Sequence, residues 1–387
     1  MLGLALEGGG AKGAYHIGAY RALTEEGLVF DGVTGTSIGA LNGAMIAQGD
    51  FERLEDWWKS ADSSALFDVD QMKINRILNN HIDRETLHYL LKRTRTIINN
   101  RGMDTKRIRE TLKQFIDEEK LRVSPIDFGL VTVAISLSKL KPLEIFKEDI
   151  PNGQIIDYLM ASANLPVFKI EPVDGKYFID GGFYDNCPIN LLIQKGYKEI
   201  FAIRTLGPGI SRPMTDPSVK VTKIVPSENI GNVLNFDPET INKNIRMGYC
   251  DAKRALLPLA GTRYYIQNAP VPRDFFKAFS QVNKSAVEAI ANRLWLPRMD
   301  ENRMIFEQIV PEAVSFLSLG ETASYRDVGI GVLESLAESC GIDRLSIISM
   351  DAFIAALKSA ERPKPDAYKS DKAFVLGTLG EALLERL

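Results

Sequence analysis

Histidine, cysteine and long apolar runs are all scarce in this 387-residue chain. The three cysteines lie far apart and form no Cys-x-x-Cys pair, so the sequence suggests neither a zinc site nor a disulfide framework. They are Cys187, Cys250 and Cys340. No apolar run approaches the roughly 20 residues that a membrane-spanning helix needs. We therefore expect free thiols in a reducing compartment and no transmembrane segment.

An excess of one charge sign is also missing. The chain carries 47 Lys and Arg against 50 Asp and Glu, a net charge of −3. This balance argues against a nucleic-acid partner bound through bulk positive charge. The first seven residues have no basic start and no long apolar run, so they predict a buried strand rather than a secretory signal. We expect a cytoplasmic protein, with peripheral contact to a membrane left open.

Metal-binding patterns are absent from the sequence as well. It contains no calcium-binding loop and no cluster of zinc ligands. We therefore expect a protein that needs no metal and no cofactor.

The order of apolar and glycine-rich segments predicts an α/β fold. A strand over Leu2–Glu7 precedes a glycine loop, a helix from about Ala14 to Glu26 and a second short strand. Strands that alternate with helices favour a mainly parallel sheet covered on both faces. We interpret residues 1–270 as this α/β domain and residues 271–387 as a helical region of unassigned role. Its clearest helical segments are Phe275–Leu294, Glu301–Phe316, Tyr325–Ser339, Met350–Ala360 and Phe374–Leu387.

The segment Gly35-Thr36-Ser37-Ile38-Gly39 is a candidate nucleophile turn. A tight turn from a strand into a helix strains the backbone of its central residue and exposes the serine hydroxyl at a helix N-terminus. The helix dipole there favours negative charge that develops during a reaction. An ordinary glycine-rich turn is the alternative, but the position between a strand and a helix of small residues favours a nucleophilic Ser37.

The segment Gly8-Gly9-Gly10-Ala11-Lys12-Gly13 is a candidate oxyanion hole. Successive glycines at the end of a strand expose backbone N–H groups that can hold an anion. The same residues also satisfy the G-x-G-x-x-G pattern of dinucleotide-binding proteins, with Asp31 near the position of the ribose-binding acid. The tip of the second strand, however, carries Thr36-Ser37, so we favour the oxyanion hole.

The scarcity of histidine points to a carboxylate as the base. In the α/β-hydrolase order the histidine follows both the serine and the acid, yet only His81 and His88 follow Ser37. We interpret both as surface residues and His16, on the first helix, as a packing or surface residue. Asp180, at the end of a strand and followed by two glycines, is the best candidate. Burial would raise its pKa and make it a better base.

Four blocks of the chain stand in the order found in the patatin-like phospholipases, and about the first 250 residues resemble that family. The blocks are Gly8 to Gly13, Gly35 to Gly39, Ala161-Ser162-Ala163-Asn164-Leu165-Pro166 and Asp180-Gly181-Gly182. The stretch from Asn229 to Tyr249 is also similar to bacterial members. The resemblance implies a three-layer α/β sandwich with a mainly parallel central sheet.

The resemblance also implies roles for individual residues. Ser37 would be the nucleophile and Asp180 the general base. The oxyanion hole would comprise Gly8, Gly9 and Gly10, with Ala11 and Lys12 as further candidates. The supporting motif positions are Gly13, Gly35, Gly39, Gly181 and Gly182. The family often has Arg where this chain has Lys12, which keeps the positive charge but loses planar bidentate bonding.

The block that contains Ser162 offers no obvious chemistry of its own. Its small residues, Ala161–Ala163, would let a helix pack near the site, and we expect a packing role. Trp57, Trp58 and the basic stretch Lys92–Lys113 could contact an anionic bilayer. A packed tryptophan pair and a solvated helix face are the favoured interpretation.

The function predicted from these residues is acyl transfer through a serine. The resemblance narrows it to a lipid acyl hydrolase that cleaves phospholipids or other acyl esters through a Ser37–Asp180 dyad. Two alternatives remain open: a hydrolase of small esters or thioesters, and a catalytically silent homologue that binds lipid or protein. Activity on short monomeric esters would favour the former, and identical behaviour of a Ser37→Ala protein would favour the latter.

Overall fold

The computed structural model describes residues 1–60, 105–135, 140–165, 168, 172–173, 175–320, 322–363 and 368–387. His81, His88, Pro166 and residues 92–104 of the basic stretch lie outside these ranges. The chain forms two compact units, Met1–Ala255 and Leu256–Leu387. The division at residue 255 differs from the sequence-based boundary at residue 270, which stays a prediction about domains.

The first unit is built on a seven-stranded mixed sheet. Its strands are β1 (Leu2–Leu6), β2 (Gly32–Thr36), β3 (Asp127–Ile135), β4 (Leu140–Phe146), β5 (Tyr177–Asp180), β6 (Glu199–Ile203) and β7 (Lys220–Ile224). The order is β4-β3-β2-β1-β6-β7, and β5 also pairs with β3. The pairs among β3, β2, β1, β6 and β7 are parallel, while β4 and β5 run antiparallel to β3. The mainly parallel sheet predicted from the sequence is confirmed.

Helices cover both faces of this sheet, as the α/β prediction requires. They are α1 (Ala14–Glu25), α2 (Ile38–Ala47), α3 (Phe51–Ser60), α4 (Lys106–Phe115), α5 (Glu118–Val123), α6 (Ile155–Ser162), α7 (Ile189–Gln194) and α8 (Pro238–Leu256). β2 is buried along its whole length, the pattern of a central parallel strand. α2 approaches the sheet closely, since a Cβ on Gly43 would lie only 3.1 Å from the Val33 side chain.

The register around β3 positions the ends of two strands side by side. In the β2–β3 pair, Thr36 at the end of β2 lies opposite Val131. In the β3–β5 pair, Asp180 at the end of β5 lies opposite Thr132, the next residue of β3. β2 and β5 therefore approach the same point of β3 from opposite directions. The residue after β2 and the last residue of β5 meet there.

The second unit has its own apolar core and is mostly helical. Its helices are α9 (Pro272–Ser280), α10 (Lys284–Arg293), α11 (Glu301–Met304), α12 (Val310–Leu317), α13 (Tyr325–Ser339), α14 (Met350–Ser359) and α15 (Asp371–Leu384), with a π-helical turn over Ile305–Ile309. A short parallel pair, β8 (Tyr265–Gln267) and β9 (Ile347–Ser349), adds to it. The helix expected over Phe275–Leu294 is interrupted, because the Asn283 side chain accepts from Ala286 N and begins a new helix.

None of the helices in the described ranges has both the length and the apolar character needed to cross a membrane.

Candidate active site

Ser37 lies at a sharp turn between β2 and α2. Its φ of 54° and ψ of −126° fall in a region that residues with a side chain rarely adopt. The flanking glycines are sterically required: a Cβ on Gly35 would lie 2.2 Å from the Gly39 backbone, and one on Gly39 would lie 2.2 Å from the Leu6 carbonyl oxygen. These close approaches explain why this turn, Gly35–Gly39, which we call the elbow, needs the pattern Gly-x-Ser-x-Gly.

The elbow is held by a side chain from another part of the chain. The backbone N–H of Ser37 donates to Ser162 Oγ at 3.0 Å. The Ser162 hydroxyl donates in turn to the Val131 carbonyl at 2.7 Å, and Ser162 is fully buried. The sequence predicts a packing role for this segment and does not predict these hydrogen bonds. Its one signal was a hydroxyl among small residues in a block that the family resemblance had already marked.

Asp180 is buried at the end of β5 and has one satisfied and one unsatisfied oxygen. Oδ1 accepts from Gly182 N at 2.7 Å, whereas Oδ2 has no hydrogen-bond partner among the described residues. Burial raises the pKa of Asp180 to about 6, although the neighbouring Ser37 hydroxyl and the Gly182 N–H both lower it. A carboxylate with this pKa can still take up a proton near neutral pH.

The two glycines after Asp180 let the chain turn away in a crowded place. A Cβ on Gly181 would lie 2.1 Å from the Val131 carbonyl oxygen, and one on Gly182 would lie 2.9 Å from Asn186 Oδ1. The Asp180 carboxylate can therefore approach the end of β2 because no side chain follows it.

The glycine loop after β1 uses only some of its backbone N–H groups in hydrogen bonds to described residues. Gly8 N donates to Asn186 O, Ala11 N to Val233 O, and Lys12 N to Gly9 O. For the N–H groups of Gly9 and Gly10, the described part of the chain supplies no hydrogen-bond acceptor. Gly10 has a φ of 57°, and a Cβ there would lie 2.0 Å from the Val233 carbonyl oxygen.

The buried carboxylate of Glu7 stabilises the glycine loop through the residues that follow β6. Glu7 accepts from the Arg204 guanidinium at 2.7 Å, from Thr205 N at 2.6 Å and from Leu206 N at 2.9 Å. The Thr205 hydroxyl then donates to the Gly8 carbonyl at 2.6 Å. Neither Glu7 nor Thr205 is predicted from the sequence to be functional. Because an acid at the end of a buried strand must find donors, Glu7 was the available signal.

Lys12 interacts with the same loop rather than with the serine. Its ammonium donates to the Leu206 carbonyl at 3.2 Å. Burial lowers the pKa of Lys12, while the charge of Glu7 raises it in part. Its positive charge thus lies beside the loop that follows β6.

One small cavity, of about 30 Å³, gathers these groups. Its lining includes Ser37, Asp180, Gly9, Gly10, Gly182 and Asn186. The remaining lining is formed by Leu165, Phe183, Pro208, Gly209 and Val233. Ser37, Asp180, Gly9 and Gly10 therefore border one small space whose other side chains are largely apolar.

His16 does not take part in this cavity. It is fully buried on α1, and burial lowers the pKa of its imidazole to about 3. Its Nδ1 lies 3.2 Å from the amide nitrogen of Asn42, which also donates to the Gly13 carbonyl. A neutral imidazole held in this way helps to pack α1 against α2.

Trp58 likewise serves packing. It is fully buried, donates from its indole nitrogen to Asn42 Oδ1 at 3.0 Å and stacks on Phe236. Trp57 contacts it edge to face. In the described ranges, no group of three His, Cys, Asp or Glu side chains is arranged to hold a metal ion.

The comparisons with known proteins agree on one family. Residues 4–193 match the family model described as patatin-like phospholipase. A lysophospholipase of Mycosarcoma maydis is 29% identical over 204 residues, which is 52% of this chain and 9% of that protein. A patatin-like phospholipase domain-containing protein of Caenorhabditis elegans is 26% identical over 52% of this chain and 13% of its own length. The chain thus matches only a small part of these two relatives.

A bacterial relative and a solved structure complete the comparison. An uncharacterized NTE family protein of Mycobacterium bovis is 26% identical over 48% of this chain and 44% of its own length. The crystal structure of VipD from Legionella pneumophila superposes with a TM-score of 0.40 at 14% identity. That alignment covers 99% of this chain and 91% of VipD.

Proposed function

Because residues 4–193 of this chain match the patatin-like phospholipase family model, we propose that the protein is a lipid acyl hydrolase. Ser37 is its nucleophile and Asp180 its general base. We base this on one observation: the buried Asp180 oxygen without a partner lines the same cavity as Ser37, whose hydroxyl favours the charged carboxylate. A catalytic hydrogen bond often tightens only when substrate is bound.

The first half of the reaction forms an acyl-enzyme. Ser37 Oγ attacks the ester carbonyl carbon, and its proton passes to Asp180 Oδ2. The carbonyl oxygen takes the negative charge and accepts hydrogen bonds from the N–H groups of Gly9 and Gly10. The bond to the leaving alcohol then breaks, and Asp180 returns the proton to the alcohol oxygen.

Water completes the cycle by the reverse chemistry. Asp180 takes a proton from water as the water oxygen attacks the acyl carbon. The tetrahedral intermediate again uses the N–H groups of Gly9 and Gly10. When it collapses, the bond to Ser37 Oγ breaks, the proton returns to that oxygen, and a carboxylic acid leaves. This sequence uses only groups that line the cavity.

The lipid nature of the substrate rests on the family. Relatives carry names such as lysophospholipase and patatin-like phospholipase. The mostly apolar side-chain wall of the cavity, with Leu165, Phe183 and Val233, suits the first carbons of an acyl chain.

A fluorophosphonate probe tests the serine and its base directly. We expect wild-type protein to be labelled at Ser37, Ser37→Ala to remain unlabelled, and Asp180→Asn to react at least 100-fold more slowly. Rapid labelling of Asp180→Asn would contradict the dyad. A folded wild-type protein that neither labels nor hydrolyses any ester would support the silent homologue instead.

A second measurement tests the lipid assignment. Hydrolysis of a phosphatidylcholine series should increase when the substrate passes from monomer to micelle or vesicle. Rapid turnover of short monomeric esters without such an increase would favour a small-ester hydrolase. Ser37→Ala is the control in both assays.

A further inference from the structure

We propose that the segment Ala161–Asn164, the carboxyl end of α6 and its continuation, fixes the spacing between Ser37 and Asp180. Ser162 acts as the positioning residue for the nucleophile. The inference rests on the proposed function of the dyad. It replaces the packing role expected from the sequence by a defined set of hydrogen bonds.

The nucleophile end of this segment is the Ser162 hydroxyl. It accepts from the Ser37 N–H at 3.0 Å and donates to the Val131 carbonyl at 2.7 Å, so its donor and one lone pair both have a defined direction. The amide that it holds belongs to the strained residue itself. A strained conformation persists only where surrounding contacts determine it.

The base end of the segment is Asn164, two residues further on. Its carbonyl accepts from the Asp180 N–H at 2.8 Å. Its side-chain amide donates to the Phe178 carbonyl, also at 2.8 Å, and the residue is buried. The last residues of β5 are therefore held on one side by β3 and on the other by Asn164.

Hydrogen bonds to β3 connect the nucleophile end and the base end of this segment. Val131, which accepts from Ser162, is followed by Thr132, whose hydroxyl lies 2.9 Å from the Ala161 carbonyl and 3.0 Å from the Ile179 carbonyl. Three of the four residues in this segment, Ala161, Ser162 and Asn164, thus form hydrogen bonds with Ser37, β3 or β5. A shift of this segment would move Ser37 relative to Asp180.

The chemical consequence follows from how sharply a reaction depends on geometry. Misplacing a reacting group by about 1 Å can cost roughly 100-fold in rate. Removing the Ser162 hydroxyl leaves the Ser37 N–H and the Val131 carbonyl without this partner in a dry site. We therefore expect the elbow to relax towards a less strained turn.

The test compares Ser162→Ala and Ser162→Cys with wild type and with a matched control, Tyr197→Phe. The control removes another buried hydroxyl, which donates to Asp127 Oδ2 at 2.8 Å beside the opposite ends of β2 and β3. All proteins are full-length and are first checked for folding by circular dichroism. Two quantities are then measured: the fluorophosphonate labelling rate at saturation, and hydrogen exchange of peptides that contain Ser37.

We expect Ser162→Ala to lower the maximal labelling rate by about 10- to 100-fold with little change in the probe concentration at half-saturation. Exchange at Ser37 should accelerate in the same variant. Ser162→Cys, with a weak thiol donor and acceptor, should fall between Ser162→Ala and wild type. Tyr197→Phe should label at the wild-type rate. If Ser162→Ala does not fold, the thiol variant carries the comparison.

Two outcomes separate this inference from the proposed function. If Ser162→Ala labels within twofold of wild type and exchanges normally at Ser37, the positioning role is wrong while the dyad stands. If wild type does not label but exchange at Ser37 still accelerates in Ser162→Ala, the hydrogen bond is real and the proposed catalysis is wrong. If Tyr197→Phe lowers the labelling rate as much as Ser162→Ala does, the effect is general destabilisation and the inference is wrong.

Discussion

At the scale of single residues, Asp180 combines two properties that ordinarily conflict. It is buried at the end of a strand, which disfavours its charge, yet the proposed reaction needs it ionised to accept a proton. Because burial raises its pKa only to about 6, the carboxylate is mostly ionised at neutral pH and remains more basic than a solvated aspartate. A general base works best with a pKa near the working pH.

The pH dependence of labelling follows from this pKa. We expect the fluorophosphonate labelling rate to rise with pH, with a midpoint near 6, and to level off above it. His16 should add no step there, because burial lowers its pKa to about 3. The measurement is the labelling rate between pH 4 and pH 8. A rate that is independent of pH over this range would argue against Asp180 as the base.

Asp180 should also make stability depend on pH. Its folded pKa lies above the ordinary aspartate value of 3.8, so its contribution to stability is fully present below that value and is lost as pH rises through about 6. The loss amounts to about 3 kcal/mol at most. At pH 8 we therefore expect the unfolding free energy of Asp180→Asn to equal or exceed that of wild type, although the variant should label slowly.

The difference between the two proteins isolates this residue. Asp185, which is also buried and has its pKa raised to about 7 by burial, titrates in both proteins and cancels. Urea denaturation at pH 4.5 and pH 8 gives the comparison. A difference in unfolding free energy that does not change between these pH values would contradict the assignment.

At the scale of elements, the loop after β1 carries the two proposed oxyanion donors, the N–H groups of Gly9 and Gly10. Gly10→Ala combines an unfavourable φ with a Cβ 2.0 Å from the Val233 carbonyl oxygen. We expect it to abolish labelling, because the loop must move and the oxyanion donors move with it. Gly27→Ala is the matched control: it also has a positive φ, but its Cβ would meet nothing within 4 Å.

The control variant should lose only about 1–2 kcal/mol of stability through backbone strain. Its labelling rate should equal that of wild type. The measurements are labelling kinetics and thermal unfolding of both variants. Equal labelling by Gly10→Ala and wild type would exclude this loop as the oxyanion hole.

The buried acid behind this loop provides a second prediction at the same scale. Glu7→Gln keeps the shape of the side chain but removes its negative charge. That carboxylate accepts hydrogen bonds from the Arg204 guanidinium and from the N–H groups of Thr205 and Leu206. We expect a loss of about 3–5 kcal/mol in unfolding free energy, since one partner of a buried ion pair is left behind. Lys220→Gln, which breaks an exposed pair with Glu199, should cost less than about 1 kcal/mol.

Chemical denaturation of these two variants gives the comparison. Similar losses in Glu7→Gln and Lys220→Gln would mean that the Glu7 ion pair contributes no more than an exposed one.

At the scale of the whole molecule, two units each have a core of their own. Ile266 on β8 is fully buried in the core of the second unit, where β8 pairs with β9. A chain that ends at residue 270 would keep β8 without its partner strand, whereas one that ends at residue 258 would not. Unpaired apolar strands favour aggregation.

We therefore expect the 1–258 fragment to be monodisperse and to label at Ser37. The 1–270 fragment should associate more strongly. Size-exclusion chromatography and fluorophosphonate labelling of both fragments give the comparison. If the shorter fragment fails to fold while the longer one remains active, the first unit extends beyond residue 255.

The sequence predicted some elements closely and others less well. The strand predicted to end at Asp180 does end there, and the helix Tyr325–Ser339 has the predicted bounds, because each is bordered by a clear local signal. The first strand ends at Leu6 rather than at Glu7, and Phe275–Leu294 is two helices rather than one. Such boundaries depend on pairing and capping partners that a periodic pattern does not contain.

The sequence by itself determined the residues whose identity the local backbone requires. Glycines at positions 35, 39 and 181 are needed because neighbouring backbone atoms leave no room for a Cβ, and their spacing points to Ser37 and Asp180. The scarcity of histidine reduced the choice of base further. These signals lie within a few residues of the groups that they identify.

Only the tertiary structure decided which groups act together. Ser37 and its partner Ser162 are 125 positions apart in the chain, and Glu7 and Arg204 are 197 apart. The choice of Gly9 and Gly10 as free donors depends on carbonyls from Asn186 and Val233, which occupy the neighbouring amides. Hydrogen bonding at a buried site is settled by whatever the fold brings within about 3 Å, and no local pattern encodes that distance.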